Sequence, residues 1–225
     1  MKRVAAWVGG LAAILLAVAV AGWLYAPHWH PSEAKWPIQG IDVSHHQGEI
    51  AWAELPRQGV DFAYLKATEG GDHRDRLFAA NLTAAHAAGI PVGAYHFFTL
   101  CRPGAEQAEN FNAALGAGPT DLPPAVDLEF GGNCAARPAR DVLRRELAAF
   151  LAAIERPGGP RAILYLTPEF ERDYRVSEAI DRPLWLRSLV VEARFGGRRW
   201  TIWQASSFRH LRGIEGRVDW NVMRR

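Results

Sequence analysis

The residues best equipped for chemistry are Asp127 and Glu129, separated by one leucine in the run Pro123-Pro124-Ala125-Val126-Asp127-Leu128-Glu129. Alternation along an extended strand sets both carboxylates on one face and Leu128 on the other. Two carboxyl groups facing one cavity of low dielectric cannot both ionise freely, so one is held protonated into the range of a general acid. Glycosidic cleavage calls for that arrangement, with one carboxylic acid protonating the leaving oxygen and a second carboxylate serving the sugar. Further polar groups stand at or near the ends of other β-rich runs: Asp42, Glu69, His96, Tyr165 and Gln204.

The elements that must position these groups alternate along the chain. Strands are expected at Ile38 to Val43, Phe62 to Ala67, Pro91 to Phe98, Pro124 to Glu129, Ala162 to Thr167, Pro183 to Leu189 and Trp200 to Ala205. Between them, helices are expected at about 77–88, 105–115 and 139–154; in the first, Leu77, Leu82 and Ala85 recur at helical spacing. Strands alternating with helices imply parallel βα units, and about eight strands close most economically into a (β/α) barrel. The C-terminal strand ends then converge on one face, where barrel active sites sit. Little helix separates the last strands, so an irregular barrel is expected there. Simpler roles stand beside the functional ones. His45 and His46 are adjacent, so at most one faces a site. His96 reads equally as a core histidine, Lys66 and Glu69 as a buried pair, and Asp219 with Asn221 as a turn.

Composition narrows the class. In 225 residues, 49% of them hydrophobic, the chain holds one substantial core. A net charge of +2 is too small for a nucleic-acid binder. From Asp181 onward there are ten Arg, no Lys and four acidic residues, which suits either an anionic polymer or an ordinary solvated face. Lys2 and Arg3 precede an apolar run from Val4 to Ala26, long enough as a helix to span a hydrocarbon core of about 30 Å. Residues 1–30 therefore read as a signal anchor with the positive end in the cytoplasm. A cleaved signal peptide is the alternative, with Ala17-Val18-Ala19 and Ala19-Val20-Ala21 as candidate sites. Either way the domain is exported, anchored in the cytoplasmic (inner) membrane or secreted. Residues 31–37 read as a linker and 38–225 as the catalytic domain. In an oxidising compartment Cys101 and Cys134, the only cysteines, can pair.

Six ordered motifs resemble the glycoside hydrolase family 25 lysozymes. They are Gly40-Ile41-Asp42-Val43-Ser44-His45-His46-Gln47-Gly48, Phe62-Ala63-Tyr64-Leu65-Lys66-Ala67-Thr68-Glu69-Gly70 and Ala88-Gly89-Ile90-Pro91-Val92-Gly93-Ala94-Tyr95-His96-Phe97. Asp127-Leu128-Glu129, Trp200-Thr201-Ile202-Trp203-Gln204 and Gly216-Arg217-Val218-Asp219-Trp220-Asn221 complete the set. The resemblance implies an irregular, flattened TIM-like (β/α) barrel that hydrolyses the β-1,4 bond between N-acetylmuramic acid and N-acetylglucosamine. Carried over by position, Glu129 is the proton donor. Asp127 assists it, either by orienting the substrate's acetamido group or through a covalent intermediate. Asp42 and Asp219 tune the field, while Tyr64, Lys66, Glu69, Tyr95, His96, Tyr165, Trp203, Gln204 and Asn221 serve the groove. Peptidoglycan strands are the implied partner, with no cofactor, no metal and no nucleic acid, and a monomer is expected. The chain departs from the family pattern at His73, at Ala205 and in Leu184-Trp185-Leu186-Arg187-Ser188-Leu189.

Two other classes compete. One is a metal-dependent hydrolase using Asp42, His45 or His46 and the Asp127/Glu129 pair. The other is a peptidoglycan-binding protein without turnover.

Overall fold

The computed structural model describes residues 2–116, 118–132, 134–155 and 157–224. Its centre is a closed sheet. Strands β1 (Ile38–Val43), β2 (Phe62–Glu69), β4 (Val92–Phe97), β5 (Ala125–Leu128), β6 (Ile163–Leu166), β7 (Leu184–Arg187), β8 (Ile202–Arg209) and β9 (Val218–Met223) form an eight-stranded barrel. The two-residue β3 (His73–Arg74) is appended to the end of β2. Neighbours from β1 through β2 and on to β8 run parallel, but β9 is antiparallel to both β1 and β8. The segment read as a turn at Asp219 and Asn221 is thus a strand. It alternates perfectly, with Asp219 and Asn221 on one face and Val218, Trp220 and Val222 on the other, and it closes the barrel by pairing Asp42 with Asp219.

Among the described residues six α-helices surround or flank the barrel: α1 (Lys2–Tyr25), α2 (Phe78–Ala87), α3 (Gly104–Leu115), α4 (Arg140–Ile154), α5 (Pro168–Tyr174) and α6 (Val176–Ala179). The longest barrel helix shows why they form. In α4 the buried residues are Leu143, Leu147, Phe150, Leu151 and Ile154, a stripe at spacings of three and four that faces the sheet. Glycine permits the tightest crossing, since a Cβ on Gly104 at the start of α3 would overlap the Glu146 carbonyl in α4.

Strand alternation divides the apolar residues into two cores. The outer core lies between sheet and helices and includes Ile41, Leu65, Val126, Leu128, Leu164, Leu186 and Trp220. The second plugs the barrel, where Phe62, Tyr64, Ala125, Ile163, Tyr165, Trp185 and Ile202 meet. Gly93 on β4 lies opposite Tyr64, and a Cβ there would collide with the tyrosine ring. The glycine leaves the space that the phenol fills.

Residues 26–37 lie along the outside of the barrel. The Pro27 carbonyl accepts from His210 N at 2.9 Å, and Gln39 Nε2 donates to the Pro31 and Trp36 carbonyls at 3.0 and 2.8 Å. Trp36 packs on Trp200, ring centroids 4.9 Å apart. Helix α1 beyond this segment has described apolar side chains in solvent, Trp7 at 81% and Trp23 at 75%. Among the described residues no helix is long and apolar enough to cross a membrane.

Cys101 and Cys134 form a disulfide, Cα to Cα 5.8 Å, across a sequence separation of 33. It joins the chain leaving β4 to the chain leaving β5, just past Glu129. The chain-entropy model assigns such a loop roughly 3–4 kcal/mol. Reduction, or a double Cys→Ser variant, should lower unfolding stability by about that amount in a chemical denaturation series. An unchanged midpoint would show that the loop is already ordered in the unfolded chain.

Candidate active site

A cavity of about 540 Å³ opens at the C-terminal ends of the parallel strands. All four acids expected from the sequence line it, brought by three stretches of backbone: Asp42 from β1, Asp127 from β5 with Glu129 one residue past it, and Asp219 from β9. Leu128, between the pair, is fully buried in the outer core. Lys66, Glu69, Tyr95, Tyr165 and Gln204 line the same cavity.

Hydrogen bonds fix the acids from behind. Asn221 Nδ2 donates to Asp42 Oδ2 at 2.7 Å, while its carbonyl oxygen accepts from Trp185 Nε1 at 2.8 Å. The Tyr165 hydroxyl donates to Gln204 Oε1 at 2.6 Å, and Gln204 in turn bonds Asp219. Lys66 Nζ donates to Glu69 Oε2 at 2.6 Å, so this cation and anion largely neutralise each other. One atom is left over: Asp127 Oδ1 is buried with no hydrogen-bond partner among the described residues. A buried acceptor without a donor is rare and costly, and marks a place where a ligand or water belongs.

Crowding shifts the titrations upward. Burial, and then the like charge of Asp219, pushes Asp42 well above the carboxylate range. Burial and the neighbouring Glu129 do the same to Asp127. Glu129 is raised by burial, an effect that the Arg187 guanidinium opposes and Asp219 reinforces. Asp219 is pushed up to about 6 by burial, again against Arg187. The carboxyl groups of the cavity therefore keep their protons to higher pH than ordinary carboxylates do, the condition for general-acid chemistry.

Four expected groove residues lie elsewhere. Tyr64 is in the barrel plug beneath the cavity, its hydroxyl donating to the Pro123 carbonyl at 3.1 Å. Asn221 supports Asp42 from below and is fully buried. His96 and Trp203 point out of the barrel because each alternates with inward-facing neighbours, Tyr95 and Phe97 for one, Ile202 and Gln204 for the other. His96 stacks on Phe150 at 4.7 Å between Thr68 and Gln107, and burial lowers its pKa to about 4. Trp203 Nε1 donates to the Ser188 carbonyl at 2.7 Å. Of the histidine pair, His46 lines the cavity, while His45 is held by the buried Asp75, whose Oδ2 lies 2.7 Å from the His45 amide and 3.1 Å from Nδ1. Sequence reasoning missed Arg187 and Arg217, which also line the cavity. Parity would have found Arg187, two residues beyond the inward-facing Trp185. Among the described residues no three His, Cys, Asp or Glu side chains are grouped to hold a metal ion.

Comparison with known proteins matches residues 41–214 to the model for glycosyl hydrolases family 25. The chain is 35% identical over 200 residues to lysozyme M1 of Streptomyces globisporus, covering 82% of this chain and 67% of that protein. A family 25 glycosyl hydrolase from Bacillus anthracis superposes with TM-score 0.76 at 34% identity, over 86% of this chain and 92% of the other. A bacterial lysozyme from Streptomyces coelicolor gives 0.72 at 31% identity, over 84% and 92%.

Asp219 offers a test of the crowding. Its folded pKa of about 6 exceeds the ordinary value of 3.8, so the folded state binds the extra proton between those limits. Its stabilising contribution is therefore complete below about pH 4 and lost as pH rises through about 6. Asp219→Asn should match the parent near pH 4 and exceed it at pH 7–8 by up to about 3 kcal/mol in urea unfolding. Equal stability at both pH values would mean that burial does not disfavour the Asp219 carboxylate.

Proposed function

The chain belongs to glycosyl hydrolase family 25, and from that premise we propose a peptidoglycan muramidase in which Glu129 is the proton donor and Asp127 its partner. The enzyme hydrolyses the β-1,4 bond between N-acetylmuramic acid and N-acetylglucosamine in the glycan strands of the cell wall. The observation that carries the assignment of roles is the contrast within the pair. Both carboxyl groups line one cavity, but only Asp127 has an oxygen buried without a partner.

That orphaned oxygen is an acceptor waiting for a donor, and the N–H of the substrate's 2-acetamido group supplies one. Held by Asp127, the acetamido carbonyl is oriented to assist at the anomeric carbon, or Asp127 itself meets the positive charge that develops there. Glu129, more exposed and held protonated by burial and Asp219, faces the glycosidic oxygen and gives up its proton as the bond breaks. It then takes a proton from the incoming water. Asp42 and Asp219 keep the field negative, which favours an oxocarbenium-like transition state and opposes early loss of the Glu129 proton. Lys66, locked to Glu69, and Tyr165, locked to Gln204, form a floor whose dipoles do not reorganise during the reaction.

Glu129→Gln should lower kcat by at least about a thousandfold with KM little changed, because it removes a group needed at the transition state while keeping the shape of the groove. Mass spectrometry of digested peptidoglycan is the readout. The parent should release fragments with reducing N-acetylmuramic acid ends, and the variant should not. Intact glycan from both proteins would overturn the muramidase reading, and equal release from both would overturn the role of Glu129.

A lysozyme that cuts cell wall acts outside the cytoplasm, and the disulfide suits an oxidising compartment. The run from Val4 to Ala26 is proposed as the element that takes the domain across the cytoplasmic membrane, either staying there as an anchor or being cleaved. Residues 31–37 then connect it to the catalytic domain of 38–225. Intact-mass analysis of the fractionated protein separates the two forms. A full-length mass in the membrane fraction indicates an anchor, and a mass beginning after Ala19 or Ala21 in the soluble exported fraction indicates a signal peptide. A full-length mass in the cytosol would overturn both.

A further inference from the structure

Among the described residues the Arg187 side chain has no hydrogen-bond or ion-pair partner. It ends β7, where its side chain shares the inward face with Trp185 and lines the catalytic cavity. Among the described residues no carboxylate oxygen lies within 4.0 Å of its guanidinium, and none of its five N–H donors is hydrogen-bonded. The other cation deep in the cavity is different, since Lys66 is already closed on Glu69 at 2.6 Å. Arg187 is half-buried, with its donors open to the cavity. The backbone that carries it is held in place: Ser188 N donates to the Gln204 carbonyl at 3.1 Å, Val190 N to the Ala205 carbonyl at 2.7 Å, and Trp203 Nε1 to the Ser188 carbonyl at 2.7 Å. Val190 takes a left-handed backbone, φ 69°, to complete this clamp, a conformation that β-branched residues rarely adopt. Two strands away, Arg217 precedes β9 and lines the same cavity, and Ser207 on the intervening β8 lines it between them.

An unpaired guanidinium carried by a hydrogen-bonded strand end is a planar fork suited to a carboxylate. The acids nearby feel its charge at longer range without satisfying its donors. The muramidase substrate carries the missing group: muramic acid ends in a lactyl carboxyl, free in strands stripped of peptide, and stem peptides bring carboxylates of their own. We propose that Arg187, with Arg217 at the rim, forms a carboxylate-recognition subsite that reads the anionic substituents of the glycan. The proposal rests on the muramidase reading for the identity of the ligand. Hydrophobic and acetamido contacts would hold any N-acetylated sugar, and this quarter of the cleft would select those bearing an acid.

The test is binding to the full-length Glu129→Gln protein, measured by calorimetry so that turnover is not needed. Three muramic acid-containing tetrasaccharides are compared: one with free lactyl carboxylates, one with those carboxylates amidated, and one bearing stem peptides. Amidation should weaken binding about tenfold, the scale of one charge-assisted hydrogen-bonded pair. Adding Arg187→Met should cost the same factor on the free acid and nothing further on the amide. Arg187→Lys should recover part of the loss, keeping charge without the fork. Dependence on Arg187 confined to the free acid places the lactyl group in the subsite, and dependence confined to the peptide-bearing sugar places the stem there. Equal weakening of all three ligands by Arg187→Met, or no weakening of any, overturns the proposal. Parallel digestion of peptidoglycan by the parent keeps the two readings apart. Acid-selective binding without reducing muramic ends would refute the activity and leave the subsite standing.

Discussion

Besides Glu69, which is closed on Lys66, four carboxyl groups share one cavity, and holding them together out of water is the constraint to which the surrounding structure answers. Burial raises the titration of all four, and like charge adds to it for Asp42, Asp127 and Glu129. Left alone, such a cluster would either take up protons indiscriminately or spread apart. The structure instead differentiates its members. Asp42 is tied to Asn221, Asp219 is bonded by Gln204, and Glu129 has Arg187 at range, while one oxygen of Asp127 is left without any partner. Four chemically similar groups thereby acquire four environments, as the proposed division into an acid, its partner and two field-setting groups requires.

Holding those groups apart requires a stiff scaffold, and the two cores supply it. The aromatic plug of Tyr64, Tyr165 and Trp185 fills the barrel under the acids, and its polar tips reach Pro123, Gln204 and Asn221. The plug is thus both apolar filler and a set of struts. The outer core binds the helices to the sheet and takes the alternate residues of the same strands. His96 shows how completely alternation decides the matter: one residue from the cavity-lining Tyr95, it is a neutral ring between phenylalanines.

Much of this was readable in the sequence, for reasons that can be named. The parallel strands announce themselves as short apolar runs, and polar residues at their ends mark the mouth of the barrel. Alternation in Asp127-Leu128-Glu129 places the central pair. What was harder to see depended on long-range pairing. Val218–Met223 contains Asp219 and Asn221, both turn formers, and only its partners β1 and β8 make it a strand. Tyr64, His96 and Trp203 have side chains suited to sugar binding, but the facing of each strand depends on its register in the closed sheet. Arg187 was passed over because it belongs to a segment that departs from the family pattern, although strand parity directs it inward.

The antiparallel closure of β1 by β9 bears on when the protein becomes dangerous. Asp42 meets Asp219 and Asn221 across a sequence separation of 179 for the Asn221–Asp42 bond, so the cavity draws on the beginning and the end of the domain. Contacts this distant form late, after most of the loop-closure entropy has been surrendered. A nascent chain that has emerged only as far as β8 has Glu129 and Asp127 but no closed barrel and no fourth acid. The full set of cavity acids therefore exists only once the last strand has emerged and paired with the first.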